Sequence, residues 1–161
     1  MNIGRSDIDW KSLSHNEIDR IIAERIEADN KRIEANGGKK SKRAGYILER
    51  IAEINNLREA DKEAQDGKVK KNRFIRRHNL HPEEDLRALQ LMILTLDFPA
   101  PDYSVMRVKS DAGKVRDIVK QKYFPWRILH HAIMRVIEED VYRNLIYDTS
   151  ACICLLYTSP S

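Results

Sequence analysis

The stretch Tyr103-Ser104-Val105-Met106-Arg107-Val108-Lys109, then Ser110-Asp111-Ala112-Gly113, then Lys114-Val115-Arg116-Asp117-Ile118-Val119-Lys120 decides the fold class. Two runs rich in β-branched residues flank four turn-forming residues that include a glycine, which predicts a β-hairpin. The segments on either side carry helical spacing, so the chain reads as α+β, mostly helical with one hairpin. Side chains alternate along a strand, so Lys114 and Arg116 share one face of the second run, and Val115 and Val119 point the other way, toward a core. Two adjacent cations on a ribbon suit a grip on a phosphate chain. A half-buried strand with a charged outer face has the same pattern.

Upstream, Ser14-His15-Asn16-Glu17 fits a capping box. Ile18, Ile21, Ile22, Ile26 and Ile33 follow at roughly helical spacing until Asn36-Gly37-Gly38 stops the run. A second helix is predicted from about 44 to 65, with Ile47, Ile51, Ile54 and Leu57 on one stripe and Asp66-Gly67 at its end. Neither helix can bury its stripe alone, so each must pair with the other or with the body beyond it. Pro82-Glu83-Glu84 opens a third helix, proline in its first turn and acids at the positive end of its dipole. Its core stripe is Leu86, Leu89, Ile93 and Leu96, and Phe98-Pro99-Ala100-Pro101 ends it. Downstream of the hairpin, Phe124-Pro125 precedes a helix with Arg127 in its first turn and Leu129, Ala132, Ile133, Val136 and Ile137 on its buried stripe.

The 161 residues are 42% hydrophobic and 34% charged, a balance suited to a soluble protein with long surface helices. The longest apolar runs, such as Leu91-Met92-Ile93-Leu94, are far too short to span a bilayer, and Met1 to Asp9 is too polar for a secretory signal. Cys152 and Cys154 lie too close for an ordinary structural disulfide, which points to a reducing compartment.

Charge is distributed in blocks. Residues 37–80 hold thirteen basic against six acidic side chains, and residues 103–135 hold eight against two. The intervening segment 81–102 holds one against five. Alternating blocks of this kind fit a polyanion partner, and they also fit the solvated faces of long helices. Within the first block, Lys68, Lys70, Lys71, Arg73, Arg76 and Arg77 surround Phe74, a mixture suited to phosphate contacts and base stacking. His78 and His81 have no further ligands nearby in sequence and read as surface or capping residues. Adjacent His130 and His131 point about 100° apart on a helix and cannot easily share a metal.

Taken in order, these pieces resemble the amino-terminal half of a bacterial reverse transcriptase, over about Ile54 to Ile153. The resemblance rests on Asn56-Leu57-Arg58-Glu59-Ala60 leading to Asp66-Gly67-Lys68, then Asp85-Leu86 with Leu89-Gln90, then the Tyr103 strand. Its most telling parts are Gly113-Lys114-Val115-Arg116-Asp117-Ile118 and Pro125-Trp126-Arg127-Ile128-Leu129-His130-His131-Ala132-Ile133, which look like the first two fingers motifs of the family. Ile146 to Cys152 looks like the start of the third. The paired histidines lean toward enzymes of diversity-generating retroelements, with retron and group II intron enzymes as close alternatives.

The resemblance implies the fingers hairpin and incomplete palm of a right-hand polymerase. It implies residues 1–43 as an amino-terminal helical extension and 44–153 as fingers with the start of the palm. By the same resemblance Lys114 and Arg116, with Lys109 across the hairpin, hold the triphosphate of an incoming nucleotide, and Arg127 contacts template or nucleotide. Apart from the resemblance, Lys70, Lys71, Arg73, Arg76 and Arg77 with the interleaved Phe74 are read as an RNA-binding patch, and a solvated helix edge explains them equally well. The expected partners are an RNA template, a DNA primer, a deoxynucleoside triphosphate and a retroelement accessory protein, in a bacterial or phage-encoded cytoplasmic setting. The expected cofactor of the intact enzyme is Mg2+, held by palm aspartates in aromatic-x-x-Asp and Tyr-x-Asp-Asp motifs that residues 1–161 do not contain. Tyr147-Asp148 lacks the second aspartate and sits too early, so Asp148 is not assigned to a metal.

Residues 154–161, Cys-Leu-Leu-Tyr-Thr-Ser-Pro-Ser, match one reading frame of a transposase sequencing adapter and are set aside from fold reasoning. On that reading the chain is an inactive amino-terminal piece of a polymerase. Two other classes stay open: a complete, non-catalytic helical RNA-binding module, and an interaction scaffold of amphipathic helices.

Overall fold

The computed structural model describes residues 8–38, 45–67, 72–101, 103–109 and 114–144. The expected hairpin loop at 110–113, Lys68, Lys70 and Lys71 of the basic segment, the start of the third motif and the adapter-like tail lie outside the described residues. The architecture is mostly helical with one two-stranded antiparallel sheet.

Helix α1 spans His15–Ala35 and begins where the sequence places it. The Ser14 hydroxyl accepts from the Glu17 amide, and the Glu17 carboxylate accepts from the Ser14 amide at 2.9 Å. Gly37 and Gly38 take positive φ at its end, a conformation that glycine adopts without strain. Ile18 and Ile22 are buried, and Ile21 and Ile26 pack beside them.

The helix expected from 44 to 65 is two helices, α2 (Ile47–Ala52) and α3 (Ile54–Gln65). Glu53 between them is extended, with ψ 128°. The break frees carbonyls that a continuous helix would bond internally. Gln90 Nε2 donates to the Ala52 carbonyl at 3.0 Å, and Asn56 Nδ2 donates to the Ile51 carbonyl at 3.1 Å. With those acceptors satisfied, Ile51, Ala52, Ile54 and Leu57 all reach the core. Ile47, the first residue of the expected stripe, lies outside the core and exposed.

After the short helix α4 (Arg73–His78), helix α5 (Pro82–Thr95) carries the proline and acidic first turn read from sequence. Leu86, Leu89 and Ile93 are buried as expected, and Leu96 is not. Leu96 takes φ 56° at the helix end, which turns it out to 67% exposure, and Leu94 takes the inward place.

The hairpin forms from β1 (Tyr103–Lys109) and β2 (Val115–Gln121), paired antiparallel with Val105 opposite Val119 and Val108 opposite Arg116. A kinked turn, Tyr123–Arg127, with a cis peptide before Pro125, leads into α6 (Ile128–Asn144). Arg127 therefore closes the turn ahead of α6 and is not in the helix's first turn. Leu129 and Ala132 are buried and Ile133 and Val136 pack against the core, while Ile128 joins it from a position the stripe did not include.

The body is built from α3 against α6 and α2 against α5, with α1 and a short turn at Trp10–Ser12 closing over them. Its centre holds Ile18, Ile22, Leu57, Ile75, Leu89, Ile93 and Ile128, each buried aliphatic side chain contributing on the order of 1.5–3 kcal/mol. The hairpin does not share this core. Val115 and Val119, expected to face inward, are 54% and 60% exposed. The ribbon pairs mainly with itself, so alternation separates two solvent-facing sides instead of an inside from an outside.

Candidate nucleic-acid interface

Alternation along β2 places Arg116 on one side of the ribbon, while Lys114 directly precedes the strand, exposed and outside its paired register. Lys109 pairs with Val115, so it stands on the other side, together with Val105, Val119 and the Arg107–Asp117 ion pair at 2.9 Å. The register sets Lys109 and Arg116, two of the three expected triphosphate ligands, on opposite sides of the ribbon, and it does not reach the third, Lys114. Arg127 is exposed at the foot of α6.

Arg73, Arg76 and Arg77 are all exposed on α4, which anchors through buried Ile75 and His78. Phe74 is 36% exposed, and the Arg73 guanidinium lies 5.0 Å from its ring centroid. Asn72 caps this helix by accepting from the Phe74 amide at 2.9 Å. The described part of the expected basic patch is thus a short, rigidly capped turn carrying three cations and an aromatic face.

His78 departs from its surface reading. It is 3% exposed, with Nδ1 2.6 Å from Asp85 Oδ2 and Nε2 3.2 Å from Asp61 Oδ1, the second contact off the line of a good hydrogen bond. Asp61 in turn accepts from Gln65 Nε2 at 2.9 Å and from the Tyr123 hydroxyl, which also donates to the Asp61 main-chain carbonyl at 3.1 Å. Burial pulls the His78 imidazole down, but hydrogen bonds and charge from Asp61 and Asp85 outweigh it and hold its pKa above the ordinary histidine value. Burial raises the Asp61 carboxyl, and the donors His78, Tyr123 and Gln65 outweigh that and hold it low. Burial, with Asp61 beside it, drives the Tyr123 phenol far above its usual range. Asp61, His78, Asp85 and Tyr123 tie α3, α4, α5 and the turn before α6 into one unit. No sequence signal short of the fold links His78 to a carboxylate seventeen residues before it.

Above this network lies a cleft of about 280 Å³ lined by Phe74, Arg77, His78, Asp85, Lys122, Tyr123 and Phe124. The Phe124 ring stacks on His78 at 6.2 Å and 13°.

No family model, curated protein or solved structure matches the chain. The chemistry of these surfaces stands on its own residues. Among the described residues no group of three His, Cys, Asp or Glu side chains is placed to hold a metal ion, and no helix is long and apolar enough to cross a membrane. His131 is half-buried with Nδ1 3.6 Å from Glu63, and burial and then Arg127 lower its pKa despite that carboxylate. His130 is exposed.

Proposed function

We propose that the chain is the amino-terminal fingers portion of an RNA-directed DNA polymerase, with Lys114 and Arg116 gripping the triphosphate of the incoming nucleotide. The observation that supports this reading is a two-stranded ribbon standing clear of a helical body, carrying Arg116 on β2 with Lys114 immediately before it. Cations near a triphosphate offset the charge that builds during transfer. Arg127 serves the template or the nucleotide, and Lys109 reaches a phosphate only from the ribbon's other side. Magnesium ions held by palm carboxylates would activate the primer hydroxyl in the intact enzyme. The 161 residues, lacking those motifs, do not polymerise alone.

The decisive experiment is to read the source DNA across codon 153. The expected frame continues through Gly-Lys-Gly, an aromatic-x-x-Asp and a Tyr-x-Asp-Asp. A natural stop codon after Ser161 overturns the polymerase reading. It leaves a non-catalytic RNA-binding module, the alternative favoured by three exposed arginines around Phe74 on α4.

A further inference from the structure

The cleft between α4 and the turn before α6 has a division of labour that the hairpin lacks. Its floor is buried: His78 and Tyr123 are closed off from solvent, and Phe124 is half-buried against His78. Its rim is exposed and cationic, with Arg77 on α4 and Lys122 just past the end of β2, and beside them Phe74 is 36% exposed with the Arg73 guanidinium over one face of its ring. Among the described residues Asp85 is the one acidic side chain lining it, and its carboxylate is engaged by the His78 imidazole at 2.6 Å.

We propose that this cleft seats one unpaired nucleotide of a single-stranded nucleic acid, the base against Phe74 and Phe124 and the adjoining phosphate on Arg77 and Lys122. At about 280 Å³ it sits at the small end of ligand-binding cavities, the size for one nucleotide unit and too small for a base pair with its backbones. Aromatic faces interleaved with cations are the usual means of holding a single strand, because every base has a π-face and every linkage a charge. An acidic peptide would use the cations and leave both rings idle. Arg73 and Arg76, exposed on the same short helix, extend the cationic track beyond the seat and give the strand a path along α4. The Asp61–His78–Asp85 network matters here because it fixes the floor and engages the Asp85 carboxylate with the His78 imidazole. The proposal deepens the nucleic-acid reading of α4 and does not depend on the chain being part of a polymerase.

The test is fluorescence anisotropy of the full 161-residue chain with a labelled ten-nucleotide oligoadenylate RNA, beside the same strand annealed to its complement. The single strand is expected to bind more tightly than the duplex. Phe74→Ala is expected to weaken single-strand binding about tenfold, within the range seen for removal of a stacking ring, and Arg77→Ala to weaken it and flatten its salt dependence. Both residues are exposed, so the thermal melt of each variant should match the parent, which separates a lost contact from a lost fold. Equal affinity for duplex and single strand, or unchanged binding by Phe74→Ala with an unchanged melt, overturns the proposal. Ultraviolet cross-linking gives an independent readout. Adducts on Phe74 or on the Tyr123–Phe124 pair are expected, and adducts confined to the hairpin count against the cleft. Each of these outcomes is independent of the gene sequence beyond codon 153, so this proposal and the polymerase reading fail separately.

Discussion

His78 Nδ1 lies 2.6 Å from Asp85 Oδ2 across the turn that joins α4 to α5, with Asp61 of α3 facing the other ring nitrogen. A buried imidazole between two carboxylates makes the packing of three helices sensitive to pH. The folded chain holds the His78 proton more tightly than the unfolded chain does, because its pKa is raised from 6.5. The stability this contributes is complete below that value and is lost as pH rises through the folded pKa. Asp61, lowered from 3.8, contributes stability that is present above that value and lost as pH falls through its folded pKa. His131, lowered by burial and Arg127, runs opposite to His78 and costs stability as pH falls. In an NMR titration the His78 ring should therefore show its midpoint above 6.5 and the His131 ring below it. In a His131→Gln background the melting temperature should fall as pH rises above 6.5 through the folded His78 pKa. A His78 midpoint below the ordinary value would mean that burial outweighs the two carboxylates.

Gln90 is fully buried and donates through Nε2 to the Ala52 carbonyl at the α2–α3 break, and to Asp19 at 3.0 Å. Gln90→Leu keeps most of the volume and leaves the Ala52 carbonyl in the core without its donor. The expected loss is about 1–3 kcal/mol, read as a lower urea midpoint with an unchanged slope. An unchanged midpoint would show that the break does not need this bond.

The ribbon exposes Val105 and Val119 as a facing pair, at 65% and 60%. Paired apolar side chains on an uncovered two-stranded ribbon invite edge-to-edge association. The chain should self-associate in sedimentation velocity as its concentration rises. Val119→Lys should reduce that association while changing stability by no more than about 0.5 kcal/mol. A large drop in the melt would show that Val119 packs against the body after all.

How much of the fold was legible in the sequence depends on which interactions are local. The capping box at Ser14 and Glu17, the proline start of α5 and the hairpin are each set by residues a few positions apart, and each formed where the sequence places it. The break at Glu53 was not legible, because the groups that make it tolerable include Gln90, whose partner Ala52 lies 38 residues away. The same holds for His78, whose burial depends on Asp61 and Tyr123 arriving from two other elements. Val115 and Val119 misled for a different reason. A period of two tells which residues share a face, and whether that face is covered depends on what packs against it. At the candidate interface, the period places Arg116 within β2 but does not reach Lys114, which precedes the strand, while the cleft beside Phe74 required α4 to meet the turn before α6.

Gly45 shows how tightly the start of α2 is fitted to α1. A β-carbon at this position would lie 2.6 Å from Asp29 Oδ1. That carboxylate is almost fully buried and cannot swing away, since Arg32 holds Oδ1 at 2.6 Å and Arg50 holds Oδ2 at 3.1 Å. Gly45→Ala should therefore cost about 1–3 kcal/mol by overpacking. The two closest atoms both belong to Asp29, with the flexible end of Arg32 next at 3.1 Å, so the penalty should largely disappear in an Asp29→Ala background. A double-mutant cycle on urea midpoints measures this, and the coupling should be at least about 0.5 kcal/mol. Additive losses would place the strain in the backbone of residue 45 instead of in its contact with Asp29.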